Sequence, residues 1–298
     1  MKTYLSIFLS LLLCSCSVGS NKENLKKAYR LLNTDPDSAM ILLEQTDRGS
    51  FSKKEQAQYA LYYSIAQDKS GLDVDKDTLL RVAYDYFKDK PEDSLYAKSN
   101  YYMGLYYQQV DSSKRATDCF YNAIHASEKQ HDLYTQYLAS NRLSWSIYHL
   151  APEEGLFYAK EACRLYDELG ETNIRNKVYL ILRVEECFRW LGKSDSVSLY
   201  LAEALRLSTK TKDKNLMAST LYSIAKEYRM LSMPDSALYF TKLAWNNTEK
   251  KEPTDYYQLA LCFLEVDSLD QAENNLTQIL QIPSSVHTKY GAYDHLLE

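Results

Sequence analysis

Glycine and proline are scarce: 298 residues hold 8 and 6 of them. Few breakers leave room for long helices and little for glycine-rich phosphate loops. Histidine is sparse too, and His125, His131, His149, His287 and His295 are scattered along the chain. No GxSxG, HExxH, Walker A or glycine-rich nucleotide motif occurs. The reading is therefore non-enzymatic, with no catalytic residue, metal ligand set or cofactor. Cys119, Cys163, Cys187 and Cys262 form neither a CxxC nor a Cys/His metal spacing. They read as buried apolar thiols, with one chance disulfide or a reactive thiol as the alternatives. Acidic pairs such as Glu153-Glu154 and Glu185-Glu186 read as solvated helix faces. Positive charge is in deficit, at 35 basic against 40 acidic residues and a net charge of −5, which argues against nucleic acid as the partner. The mostly apolar run from Tyr4 to Leu13 is ten residues long, too short to span a bilayer.

That run follows Lys2 and ends in Leu13-Cys14-Ser15-Cys16. It resembles the lipobox of bacterial lipoproteins, in which a small residue precedes the lipidated cysteine. Ser15 fits that slot before Cys16, whereas Leu13 before Cys14 does not. The resemblance implies a signal peptide over 1–15, acyl chains on Cys16 and a polar tether over 16–21. An ordinary secretory signal is the alternative. Several chains on one residue anchor stably where one would not. Ser17 after the cysteine implies the outer membrane, and the lack of a following acidic run implies a periplasm-facing position.

What is abundant is tyrosine, with 27 residues, in a pattern that recurs. In the stretch Asn100 to Ala123, Gly104 is followed by Tyr107, then by Ala116, Phe120 and Ala123 at spacings of four and three. This resembles a tetratricopeptide repeat, two antiparallel helices whose contact face needs small and aromatic residues in alternation. Turn and capping residues such as Asp35-Pro36-Asp37-Ser38 and Pro234-Asp235-Ser236 mark the second helix of each pair. The first contact-face residue after each mark is 39, 78, 116, 155, 197, 237 or 272, a period near 39 over seven units. First helices agree: Leu221, Ile224, Ala225 and Tyr228 fill the slots, as do Tyr256, Leu259, Ala260 and Phe263. Glu185 stands where a small residue belongs, and the unit from Leu143 to Ala162 is one residue short in its linker. The expectation is an all-α, right-handed solenoid of about seven helical pairs over 22–298, each about five residues longer than the standard 34. Ser284 to Glu298 reads as a further first helix. The chain resembles the divergent tetratricopeptide lipoproteins of the Bacteroidetes.

First helices line the inside of such a stack. Slots beside the core give Tyr101, Leu105 and Gln108; Asn141, Arg142, Trp145 and Tyr148; Arg183, Glu186, Arg189 and Trp190; Tyr222, Lys226 and Arg229; then Tyr257. Arg and large aromatics are over-represented at interface hot spots. Five bases to one acid suit an acidic peptide or a terminal carboxylate; packing between repeats is the competing reading. The expectation is a membrane-anchored interaction scaffold binding a protein or acidic peptide. Two alternatives are the sensory part of a longer signalling protein and a glycan-binding lipoprotein stacking sugars on Trp145, Trp190 and Tyr148.

Overall fold

A computed structural model describes residues 21–72, 77–110 and 112–282, with the backbone alone at position 77. Cys16, the signal and tether segments before residue 21 and the Ser284–Glu298 helix lie outside the described residues. The described residues form helices: α1 (21–31), α2 (Pro36–Glu44), α3 (Lys53–Lys69), α4 (Asp77–Phe87), α5 (Tyr96–Gln109), α6 (Ser113–Gln130) and α7 (Leu133–Ile147). After these come α8 (Pro152–Glu168), α9 (Ile174–Trp190), α10 (Ser194–Ser208), α11 (Lys214–Met230), α12 (Pro234–Asn247), α13 (Pro253–Glu265) and α14 (Leu269–Gln281). Read as successive pairs these are the seven expected repeats. No described helix is long and apolar enough to cross a membrane.

The helix starts follow from local chemistry. Asp35, Asn173 and Asp213 each accept a hydrogen bond from the backbone N–H three residues on. Ser52 and Glu55 exchange bonds in a capping box. Pro36, Pro152, Pro234 and Pro253 begin helices where no N–H is lost. Four of the turns inside pairs share one geometry. The carbonyls of Tyr107, Phe188, Tyr228 and Phe263 accept the amide five residues later. In the last three of these turns the residue before that amide is left-handed: Gly192, Ser232 and Asp267, at φ 65°, 55° and 56°. The aromatic slot thus marks where the first helix folds back onto the second.

The chain divides into two compact units, Met1–Ser146 and Ile147–Glu298. In unit 1, α3 packs on α4, α4 on α5 and α5 on α6, while α3 also touches α5. In unit 2, consecutive helices from α8 to α14 pack in order, and α9 also touches α11. Contacts between first helices of neighbouring repeats are what a stacked array requires. The expected core slots are buried: Ala116, Phe120 and Ala123; Val197, Leu201 and Ala204; Ala237, Thr241 and Ala244; Ala272, Leu276 and Ile279. Thr78 is the exception. It is exposed, and Leu80, Ala83 and Phe87 take the buried face of α4. Asp77-Thr78 begins the helix, but the contact residues start two positions later than expected.

Two glycines mark the tightest crossings. A Cβ on Gly104 would stand 2.5 Å from the ring of Phe120. One on Gly155 would stand 2.7 Å from the Cα of Tyr148. The repeat that looks a residue short in sequence is therefore one whose first helix ends early, at Ile147, so that the chain at Tyr148 lies directly on α8. Cys119, Cys187 and Cys262 are buried and Cys163 is half-buried, and among the described residues they form no disulfide. Burial raises the Cys119 and Cys163 thiols to about 11, far from the thiolate that reactivity needs.

Candidate functional site

In unit 1 the side chains of interest come from first helices. Tyr101, expected on an open face, is buried. Its ring packs edge-on against Tyr102 at 5.0 Å and, tilted, against Phe120 at 6.1 Å. Arg142 is half-buried and Trp145 is 43% exposed. Both line a cavity of about 450 Å³ together with Asp68, Leu72, Leu105 and Gln108. The Tyr102 hydroxyl donates to Asp68 across 3.3 Å. Burial pushes the Asp68 carboxyl above its usual range, against the opposing pull of Tyr102, Arg142 and Lys69. Gln108 donates to Ser146 at 2.8 Å, which fixes the wall between α5 and α7. Among the described residues no carboxylate lies within ion-pair distance of Arg142; its neighbours are the Tyr101 hydroxyl and, further off, Asp68.

A second cavity, of about 300 Å³, draws its walls from α1, α3, α5 and α7. Its walls include Tyr29, Lys69, Lys98, Tyr102, Tyr134 and Leu138. Adjacent residues Asp68 and Lys69 line one cavity each. Tyr101, now found buried, also lines it and is the one lining residue that was anticipated. The groove reading began at α5, which passed over Tyr29 of α1, Ile65 and Lys69 of α3, and the start of α7. The surplus of tyrosine was the signal available.

In unit 2 the expected row of cations is present but largely paired. Arg183 sits 3.1 Å from Glu186 and 5.4 Å above the Tyr148 ring. Lys226 donates to Glu186 at 2.7 Å. Arg229 meets Glu265 at 2.6 Å. Arg189 does not face solvent at all: its side chain is 5% exposed. It bonds the Ser223 carbonyl at 3.0 Å and Glu227 at 3.3 Å, and it contacts Glu185 closely. Glu185, expected on a solvated face, is 1% exposed. Its carboxyl is raised to about 8 by burial, with Arg189 opposing. One guanidinium thus faces two buried carboxylates, and burial disfavours the charged form of Glu185. Trp190 is 53% exposed and meets Tyr148 edge-on at 6.1 Å. Tyr222 is half-buried.

The count of five bases to one acid therefore does not describe the electrostatics of unit 2. Glu185, Glu227 and Glu265 enter from positions not read as facing the groove, and the surplus is neutralised there. The cation of the expected set with no carboxylate at ion-pair distance among the described residues is Arg142, in unit 1.

No protein-family model matches the sequence, and no curated protein matches it. Solved structures do. The structure of NprR in complex with its cognate peptide NprX is similar at a TM-score of 0.72 and 15% identity, covering 93% of this chain and 82% of that one. A Rap protein complexed with Competence and Sporulation Factor gives 0.67 at 13% identity, covering 93% and 86%. A tetratricopeptide repeat protein from Parabacteroides merdae gives 0.65 at 10% identity, covering 94% and 100%. At these identities the likeness is one of fold: this chain is an all-α protein of tetratricopeptide-type helical repeats.

Proposed function

We propose that the chain is a non-enzymatic binding protein that holds a peptide, or an extended segment of a protein, on the first-helix face of unit 1. The observation that carries this reading is the cavity on α3, α5 and α7 that Arg142 and an exposed Trp145 line, with a second cavity on the same three helices and α1. Arg binds carboxylate in a bidentate fork and Trp gives a rigid apolar platform. That a similar fold was solved with a peptide bound supports the class of ligand. Of the residues first assigned to the groove, Arg142 and Trp145 are retained for this role. Arg183, Lys226 and Arg229 already hold carboxylates and serve the packing of unit 2. Tyr148, Trp190 and Tyr222 are secondary candidates in unit 2.

Panning a random peptide display library on the purified protein tests this. Sequences enriched on the wild type should carry an acidic residue or free C-terminus beside an aromatic or large aliphatic one. Trp145→Ala should lower their affinity by about 2 kcal/mol. Arg142→Glu should abolish binding with an unchanged circular dichroism spectrum. Enrichment that survives both substitutions would place binding elsewhere.

The motif Leu13-Cys14-Ser15-Cys16 supports a lipid anchor on Cys16 and, with Ser17 following, residence in the outer membrane facing the periplasm. Cys16→Ala should leave unprocessed precursor and no palmitate labelling, while Cys14→Ala should change neither. Labelling that persists in Cys16→Ala rules out the anchor.

A further inference from the structure

The second helices of unit 2 bury one face and show the other. Two residues along a helix is a turn of about 200°, so the residue two after each buried contact residue stands on the outer side. After Gly155, Val197 and Ala237 that slot holds Phe157, Leu199 and Tyr239. They are 62%, 69% and 63% exposed. In unit 1 the slot holds Ile41 and Val82 and then an exposed Asp118, and on α14 it holds an exposed Asn274. Single exposed apolar residues are ordinary on a protein surface. Three large ones in the same register of consecutive repeats make a row. Phe157 rests edge-on against Tyr158 at 5.1 Å and Tyr239 against Phe240 at 5.2 Å, so the row has aromatic backing. It presents on the order of 300 Å² of apolar surface, a size that marks contact sites on monomers. Its helices share one support: α8, α10 and α12 pack in order against α9 and α11, which touch each other.

An acidic row runs beside it. One turn before each apolar residue stand Glu153, Asp195 and Asp235, in the first turns of α8, α10 and α12. All three are exposed, and among the described residues they have no hydrogen bond or ion pair. First-turn acids favour the helix dipole, which leaves their outer oxygens in water. The bases of the same helices are committed elsewhere. Arg164 holds Glu161 and Glu168, and Arg206 holds Glu203. Lys160 and Lys242 lie over the rings of Phe188 and Phe263, at 5.0 and 5.2 Å.

This charge disfavours an anionic bilayer as the occupant and favours a basic one. Spacing selects its shape. Packed helices lie about 10 Å apart, which a crossing helix covers in about seven residues, two turns that restore the same face. An extended segment covers it in about three residues and turns the next contact side chain away.

We propose that the outer face of unit 2 docks an amphipathic helix of a partner protein. Its large apolar residues, at heptad spacing, sit on Phe157, Leu199 and Tyr239, with Lys or Arg beside them on Glu153, Asp195 and Asp235. This surface uses none of the residues of the unit 1 site, so the chain is an adaptor with two binding faces.

The test is panning of a display library built on a single helix about 18 residues long, with its surface positions randomised, on the purified full chain. Binders are counter-selected against the triple variant Phe157→Ser, Leu199→Ser and Tyr239→Ser. Those side chains are exposed, so the variant should fold with an unchanged circular dichroism spectrum. It should also retain the peptides that bind unit 1. The helices it fails to hold should carry large apolar residues seven apart, flanked by Lys or Arg. In anisotropy titrations of those helices, Leu199→Ser should weaken binding about ten-fold. Asp195→Lys with Asp235→Lys should do the same at low salt, and wild-type binding should weaken as salt rises. No helix that depends on the row, or enriched helices that are acidic, would overturn the proposal. A wild-type dimer that the triple variant makes monomeric would give the face to a second copy instead. Flotation with phosphatidylglycerol vesicles that the triple variant loses would give it to a membrane. A triple variant that also loses the unit 1 peptides would overturn the claim of a separate surface.

Discussion

Arg189→Ala should destabilise the protein by about 3–5 kcal/mol, the cost of breaking a buried pair and leaving its partner uncompensated. The guanidinium is the cation that both Glu185 and Glu227 face, and its bond to the Ser223 carbonyl ties α9 to α11. Among the buried oxygens, both of Glu185 and Oε1 of Glu227 have no well-aligned hydrogen bond, so removing the guanidinium leaves these polar atoms unsatisfied. Replacing all three by similar-sized apolar residues, as Glu185→Leu, Arg189→Met and Glu227→Leu, should cost far less than the single change. Comparison of the two denaturation midpoints decides this; equal losses would mean that packing volume rather than charge dominates. The same cluster sets a pH dependence. The folded state raises the Glu185 carboxyl from 4.5 to about 8, so it binds a proton that the unfolded chain has released. The stability this contributes is full below the ordinary carboxylate range and is lost as pH rises toward about 8. Glu185→Gln should flatten the slope of stability against pH across that window. An unchanged slope would show that Glu185 is ionised throughout.

Gly155→Ala should also destabilise, although glycine to alanine inside a helix normally stabilises by up to about 1 kcal/mol. The sign reverses because the added methyl would stand 2.7 Å from a backbone atom, the Cα of Tyr148, and no rotamer change relieves that. A loss of about 1–3 kcal/mol is expected from overpacking. Gly104→Ala meets the Phe120 ring instead, at 2.5 Å. A ring can tilt in part, so its loss should be the smaller of the two. Thermal melts of both variants beside wild type decide the ranking. A Gly155→Ala protein at least as stable as wild type would mean that the α7–α8 turn relaxes freely.

Much of the fold was legible because its punctuation is local. Proline and Asp/Ser at the second-helix starts, the aromatic at the end of each first helix and small residues at the crossings are all read within a window of about a turn. The errors arose where that window was too short. Thr78 follows the same capping logic as Ala116, but burial on α4 is decided by contacts with α3 and α5. Glu185 and Arg189 occupy slots that looked exposed or anomalous one by one. They make sense only beside Glu227, 38 residues from Arg189, which no reading of α9 alone could bring in. The same holds for the groove. Arg142 and Trp145 line the larger cavity from slots that a single helix defines, whereas the smaller cavity needs four first helices at once.

The side-chain bonds between successive first helices have a further consequence. Gln108 to Ser146, Lys226 to Glu186 and Arg229 to Glu265 each span one repeat, at separations of 38, 40 and 36 residues. Each bond is a clause written half in one repeat and half in the next. Modules of this chain are consequently not interchangeable: excising one pair of helices from unit 2 would juxtapose halves that were never composed for each other, even with the backbone stacking preserved. Such a protein should resist the gain and loss of whole modules by recombination that a uniform array tolerates. Amide exchange should report the same thing, with α9, α11 and α13 opening as one block and not as three independent ones.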